Sequence, residues 1–296
     1  LVGRDRPRPP PPATCAMIQQ NVNGLRYYRF ESLPVSHGVF TRLGGVSREP
    51  FASLNLSLSV PDDPQAVMEN RDRFYAAMGV ERSAAVRTIQ VHGAHVAAAG
   101  RADVSIVQPA TDGLVTTTPN LPLVMAFADC TPIMLYDPVR VAAGIAHAGW
   151  RGTVAGVCQA AVQRMVEAFG CRPADIRAAI GPAIGPCCYE VGPEVVTAVT
   201  AALGRTDGLF RPGPNGRPHL NQWAANERAL RQAGVRQIEQ AELCTACHVD
   251  EFYSHRAENG RTGRFGAIIV IGDITHLSPV PAPAPSAPTG RQPSPH

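Results

Sequence analysis

The 296-residue chain lacks any apolar run approaching the roughly 20 residues that a membrane-spanning helix needs, so no membrane partner is expected. It also lacks a charge excess of either sign. Lys and Arg total 27 against 24 Asp and Glu, and the resulting +3 is scattered along the chain, with no basic patch for nucleic acid. Charged residues make up only 17% and hydrophobic residues 45%, a balance that indicates a globular protein with a sizeable core. The first residues, Leu1 to Cys15, carry Arg and Pro but no apolar centre, and they do not resemble a secretory signal. A cytoplasmic protein with reduced thiols is therefore expected, despite an even count of eight cysteines.

Residues 1–16 and 278–296 are poor in apolar side chains and hold 12 of the 28 prolines, so both read as disordered tails around a folded unit, residues 17–277. No internal repeat or composition break divides that unit. Strands are expected at 37–42, 88–93, 133–136, 141–145, 235–238 and 265–271. Helices are expected at 64–78, 153–169, 193–203 and 221–233. The Gly- and Pro-rich stretch 207–218 reads as a mobile loop. The expected fold class is α/β, mixed α+β: a single domain with a mixed sheet and flanking helices.

The most informative stretch is Ala146-His147-Ala148-Gly149-Trp150-Arg151-Gly152, where an apolar strand ends in a histidine and turns through glycines towards a helix. A helix start there favours a nearby anion. His92 and Cys130 share the context of His147: each stands where an apolar segment ends at a polar turn or a glycine. Two imidazoles and a thiolate suit zinc, and also copper. Three ligands leave a fourth position for water or substrate, as a catalytic zinc needs. Their separations of 38 and 17 residues match no local metal-binding pattern, and a buried cysteine beside two hydrogen-bonded histidines would look the same.

Two cysteine pairs invite other readings. Cys244-Thr245-Ala246-Cys247-His248 fits the Cys-x-x-Cys-His pattern of haem attachment, which the missing export signal argues against. A second zinc site there would need two more ligands, with His255 the only nearby candidate; reduced thiols near a site rim are the favoured reading. Cys187-Cys188 lies in a Gly- and Pro-rich turn and reads as packing or a pocket wall rather than a strained disulfide.

The chain resembles the YfiH or laccase-domain family. The resemblance rests on Phe40-Thr41-Arg42 with Gly44-Gly45-Val46-Ser47, Ser53-Leu54-Asn55-Leu56-Ser57, Asn70-Arg71, Gln90-Val91-His92-Gly93, Asp112-Gly113-Leu114-Val115-Thr116, Ala128-Asp129-Cys130, the 146–152 stretch and Ile180-Gly181-Pro182 with Cys188-Tyr189-Glu190-Val191. Cys244-Thr245, the segment from Phe252 to Arg256, and Thr262-Gly263-Arg264 continue it, all in order between about residues 37 and 271. One departure is His255, where relatives more often carry tyrosine. The resemblance implies a YfiH-like, cysteine-hydrolase-type fold and a catalytic zinc on His92, Cys130 and His147. It also implies phosphorolysis of adenosine, guanosine, inosine and 5′-methylthioadenosine, together with adenosine deamination.

Arg42 and Arg151 are candidates to orient phosphate, with a structural ion pair or a solvated face as the alternative for each. Asn55 is a candidate for a ribose hydroxyl, or else a turn cap. Asp129 and Glu190 are candidates for the general acid, and Asp129 also for orienting a ligand histidine. The partners are then purine nucleosides and phosphate, and the protein a monomer or small homo-oligomer. The alternatives are a copper-dependent polyphenol oxidase, a Cys–His hydrolase with Cys130 as nucleophile acting on peptidoglycan precursors, and a non-catalytic interaction protein.

Overall fold

The computed structural model describes residues 17–272; the expected tails, 1–16 and 278–296, lie outside the described residues, as does Cys15. The chain begins with strands β1 (Met17–Val22), β2 (Leu25–Phe30) and β3 (Ser36–Phe40), the first two joined across Asn23-Gly24. After a long coil comes helix α1 (Pro64–Ala77), started by Pro64 and by Asp63, whose carboxylate accepts the Gln65 amide. Strands β4 (Arg87–Thr88), β5 (Val96–Ala98) and β6 (Val107–Gln108) are short. The centre of the molecule is β7 (Gly113–Thr116), β8 (Leu123–Phe127), β9 (Thr131–Asp137) and β10 (Ala142–Ala148). Then follow α2 (Trp150–Ala155), α3 (Val157–Phe169), β11 (Arg177–Ile180), α4 (Pro193–Leu203), β12 (Phe210–Pro212), β13 (Pro218–Leu220), α5 (Gln222–Gln232), β14 (Gln237–Gln240) and β15 (Phe265–Val270).

Two sheets carry the fold. An antiparallel sheet has the order β1-β2-β3-β15-β8, and a mixed sheet the order β14-β11-β9-β10-β7-β5, parallel only at its two edges. The side-chain alternation of the strands sorts residues into three cores. Met134, Tyr136, Ala143 and Ile145 of the mixed sheet meet Phe127, Phe265, Ala267 and Ile269 of the antiparallel sheet. The opposite faces of the same mixed-sheet strands, Ile133, Leu135, Ala142 and Ala146, pack under α3 and α5 through Val157, Ala161, Met165, Ala229 and Leu230. Ile268 and Val270 point the other way from Ala267 and Ile269, and meet Phe74, Tyr75 and Met78 of the α1 region. The layers therefore run helix, sheet, sheet, helices. Because β9 and β10 are covered on both faces, they read as unbroken apolar runs rather than alternating ones. Among the described residues no helix is long and apolar enough to cross a membrane.

The mixed α/β domain agrees with expectation, and helices 64–78, 193–203 and 221–233 form almost as expected. Three segments differ. The single helix at 153–169 starts earlier, at Trp150, and breaks at Gly156, whose φ of 88° is left-handed. The strand at 88–93 is confined to Arg87–Thr88, because the carboxylate of Asp112 captures the following amides. The stretch expected as a mobile loop, 207–218, includes β12 and the first residue of β13, which pair as a hairpin and return the chain to α5.

Candidate metal centre and its cavity

Sheet register brings the three sequence-predicted ligands together. His147 of β10 pairs with Pro132 of β9, so Cys130, two residues before Pro132, lies at the same end of the sheet. His147 continues the face of Ala143 and Ile145, and its ring closes the inter-sheet core beside Phe127, with ring centroids 5.5 Å apart. His92 comes from the loop after β4 and meets His147 edge to face at 4.9 Å. The ligand atoms of His92, Cys130 and His147 all lie within 4.8 Å of one another.

Asp112 fixes this arrangement, and the sequence reading did not single it out. Ala146 pairs with Gly113, which sets Asp112 directly beside His147. The His147 amide donates to the Asp112 carbonyl at 2.8 Å, and its Nδ1 faces the Asp112 carboxylate at 2.9 Å. The same carboxylate accepts three successive amides, Val91 at 3.1 Å, His92 at 3.0 Å and Gly93 at 2.8 Å. Such a nest of amides holds His92 at a left-handed φ of 61°, which a non-glycine residue adopts only under local constraint. With Nδ1 engaged by Asp112, Nε2 of His147 is left for an ion, the usual way a carboxylate orients a ligand imidazole. Burial opposes ionisation of Asp112, but the hydrogen bonds from His147, Gly93 and Val91 outweigh it and hold the carboxyl below its ordinary range.

The donor set fits a zinc-class ion. Burial opposes ionisation of the Cys130 thiol, yet the charge and hydrogen bonds of His147 and His92 bring it down to about 6. Burial likewise opposes protonation of His147, while the Cys130 thiolate and Asp112 push it up to about 9. A thiolate and two imidazoles converging on one point therefore attract positive charge there. Space is reserved for it: a Cβ on Gly149 would stand 2.6 Å from Cys130 Sγ and 3.4 Å from His92 Cδ2.

The centre opens into a cavity of about 740 Å³, within the range of small-molecule sites. Arg71, Arg87, Arg151, Arg256 and Arg264 line it, against one carboxylate, Asp129. Arg87 Nε and Thr88 Oγ1, both on its wall, are buried without a hydrogen-bond partner among the described residues. Trp150 and Tyr189 add aromatic surface, and His255 lines the cavity too.

Of the expected substrate contacts, Arg151 lies on the cavity wall, its guanidinium 4.5 Å from the Trp150 ring centroid. Arg42 and Asn55 do not reach the cavity. Arg42 is buried, donating to Ala52 O at 2.7 Å, to Val249 O at 2.9 Å and to Glu258 at 2.9 Å, and stacks on Tyr253. Its guanidinium makes the ion pair with Glu258 that is the alternative to a phosphate contact. Asn55 is fully buried: it accepts the Ser57 and Arg264 amides and donates to Asp62. It braces the loop that presents Arg264. Asp129 orients neither histidine; Thr245 Oγ1 and the Arg256 amide occupy its two oxygens, at 2.6 and 2.7 Å. Glu190 lies outside the cavity lining, paired with Arg217 at 2.7 Å, which holds it in the ionised form and unsuits it as an acid.

The two cysteine pairs that the sequence offers separately are one cluster. The sulfurs of Cys187, Cys188, Cys244 and Cys247 all lie within 4.8 Å of one another. His255 is on the cavity wall instead of with them.

A mixed α/β domain whose paired sheets hold a three-donor centre at the base of an arginine-lined cavity is built as an enzyme. The family model described as multi-copper polyphenol oxidoreductase laccase matches residues 36–272, and the chain belongs to that family. It is 41% identical over 249 residues to a purine nucleoside phosphorylase of Deinococcus radiodurans, covering 83% of this chain and 93% of that one. It is 39% identical to purine nucleoside phosphorylase YlmD of Geobacillus stearothermophilus, covering 78% of this chain and 88% of the relative. Among solved structures it resembles Bacillus licheniformis YfiH, with a TM-score of 0.81 at 37% identity over 86% of this chain and 99% of that one.

Proposed function

We propose that the protein is a zinc-dependent purine nucleoside phosphorylase acting on adenosine, guanosine, inosine and 5′-methylthioadenosine, with adenosine deaminase activity at the same site. The observation that carries this reading is the charge of the cavity: five arginines and one carboxylate around a metal-binding set suit an anionic co-substrate and a neutral nucleoside. The names of the relatives support its purine nucleoside phosphorylase part.

In phosphorolysis a phosphate oxygen attacks C1′ of the ribose and the C1′–N9 bond breaks. The bonding pair leaves with the purine, which takes up a proton, and the ribose retains the phosphate. The arginines bind and orient the phosphate oxygens. Bound by His92, Cys130 and His147, a zinc ion would supply Lewis acidity and positive charge. Asp129 is the cavity's candidate proton donor. Burial raises its carboxyl against the hydrogen bonds from Thr245 and Arg256, which favours a proton on it at higher pH than usual. In deamination a water oxygen bonds to purine C6 and gives up a proton, the C6–N6 bond breaks, and the same donor protonates the nitrogen that leaves as ammonia. A polynuclear copper oxidase needs more imidazoles than the three, His92, His147 and His255, that line the cavity.

The test is to measure bound metal and adenine release from adenosine with and without phosphate. Phosphate-dependent release that survives a copper-specific chelator and disappears in His147→Ala is expected. Stoichiometric copper with no nucleoside turnover would sink the proposal.

A second reading has one specific observation behind it. Cys130, His147 and Asp112 form a nucleophile, base and orienter in sequence, with the thiol lowered to about 6 and the imidazole raised to about 9. A Cys–His hydrolase acting on amide bonds of peptidoglycan precursors would use them so. Inactivation by thiol alkylation that is indifferent to zinc removal and restoration would favour it.

A further inference from the structure

The Cys187, Cys188, Cys244 and Cys247 cluster belongs to no step described above. Its sulfurs come from two turns that the backbone ties together. Ala183 and Cys244 form a parallel bridge, with Ala183 N donating to Leu243 O at 3.2 Å and Thr245 N to Ala183 O at 3.1 Å. Cys244 and Cys247 then stand on one tight turn, Cys247 N reaching Cys244 O at 3.2 Å. Cys187 and Cys188 face them from the other turn, and the Gly185 amide donates to Cys244 Sγ at 3.2 Å. Cys247 Sγ is 3.4 Å from both Cys187 Sγ and Cys188 Sγ, so no one pair is singled out for a disulfide.

We propose that Cys187, Cys188, Cys244 and Cys247 hold one zinc-class ion in a closed tetrathiolate site, separate from the centre at His92, Cys130 and His147. Four sulfurs about 2.3 Å from one tetrahedral ion lie about 3.8 Å from each other. The observed contacts of 3.4 Å, with all four sulfurs inside 4.8 Å, match that packing. An iron–sulfur cluster, which sets its cysteines on different irons around bridging sulfides, needs a wider ring. Four thiolate ligands and no open side define a structural site, not a catalytic one. Cys244 is buried and Cys187, Cys188 and Cys247 are half-buried at the edge of the helix-covered core, so the site is held by the fold and shielded on its inner side. An amide donating to a thiolate, as Gly185 does, is the kind of support that steadies such a ligand.

The position of the cluster gives the ion a task. Tyr189 follows Cys188 and lines the cavity, and Thr245, between the other two ligands, donates to Asp129. The ion would clamp two turns that form one wall of the cavity, outside the reacting centre.

Zinc per chain is the direct measurement, made on full-length protein purified under reducing conditions from zinc-supplemented cells. Wild-type protein is expected to carry two ions, and Cys130→Ala and Cys247→Ser one each. Reconstitution of Cys130→Ala with cobalt(II) should give the intense sulfur-to-metal charge-transfer and tetrahedral d–d bands of a tetrathiolate, which decides the matter even if Cys247→Ser fails to fold. Metal-free Cys130→Ala with four reactive thiols, a Cys187–Cys247 or Cys188–Cys247 disulfide under the same conditions, or an iron–sulfur chromophore would each overturn the proposal. Since the readout uses a variant without the first centre, failure here is independent of the nucleoside chemistry.

Discussion

The two clusters of metal-binding side chains among the described residues are built in opposite ways. The centre at Cys130 takes its ligands from a strand, a strand entrance and a loop, and its order comes from a carboxylate, Asp112, that grips both histidine segments. The cluster at Cys247 takes its ligands from two facing turns, and its order comes from backbone bonds between those turns. Three mixed nitrogen and sulfur donors beside a cavity leave one side of an ion to substrate; four thiolates leave none. Ligand count and the neighbouring void, more than ligand type, separate a place for chemistry from a place for stability.

That contrast can be broken most forcefully at its open end. His147→Ala should lower nucleoside phosphorolysis by on the order of 10³-fold in steady-state assays, with a cooperative thermal transition retained. Turnover within tenfold of wild type would remove the centre from the chemistry. Gly149→Ala tests the same point without deleting a ligand. Its new Cβ would press on Cys130 Sγ from 2.6 Å, and displacement of that ligand by a fraction of an ångström should cost roughly 10²-fold in rate. Asp112→Asn comes next, with zinc affinity at the first centre expected to fall about 10- to 100-fold in competition with a chromophoric chelator. Unchanged affinity would show that the nest of amides orders the ligands without the carboxylate charge. The tetrathiolate should be insensitive to all three substitutions, and cobalt spectra of that cluster would reveal any crosstalk.

Much of this contrast was readable from the chain, but unevenly. The apolar runs that end at His147 and Cys130 announce buried strands with polar ends, and those ends do meet. Asp112 escaped because its partner is 35 residues away across a strand pair, and nothing local marks an aspartate that binds three amides. Arg42 and Asn55 misled for a related reason: a polar residue in a glycine-rich turn looks the same whether it faces a ligand or satisfies backbone groups inside the fold. The arginines at 71, 87, 256 and 264 come from four separate segments, and only the packing of the two sheets makes them one wall. Cys187-Cys188 and Cys244-x-x-Cys247 were each visible, but their meeting depends on the parallel bridge at Ala183 and Cys244. The β1–β2 hairpin was overlooked although Asn23-Gly24 is a strong turn pair.

A third site carries the comparison from rate and affinity to stability, because His37 is a buried histidine with no thiolate beside it. Its Nδ1 donates to Val35 O at 2.7 Å and its Nε2 accepts the Phe30 amide at 2.8 Å, so the neutral ring is fully used and a second proton has no acceptor. Burial is the main cause that lowers its pKa to about 4, with Arg29 adding to it against the Val35 hydrogen bond. His147, equally buried, moves the other way because Cys130 and Asp112 are its neighbours. In the unfolded chain His37 takes a proton near pH 6.5. Between that pH and about 4 the unfolded state holds a proton that the folded state refuses, so the His37 contribution is complete above about pH 6.5 and is lost as pH falls through this window. The loss amounts to about 3 kcal/mol by pH 4. His37→Gln removes the titrating group, so urea unfolding at pH 7, 5.5 and 4 should show a shallower loss of stability for the variant than for the wild type. Parallel pH dependences would mean that the Phe30 and Val35 contacts do not hold the ring neutral.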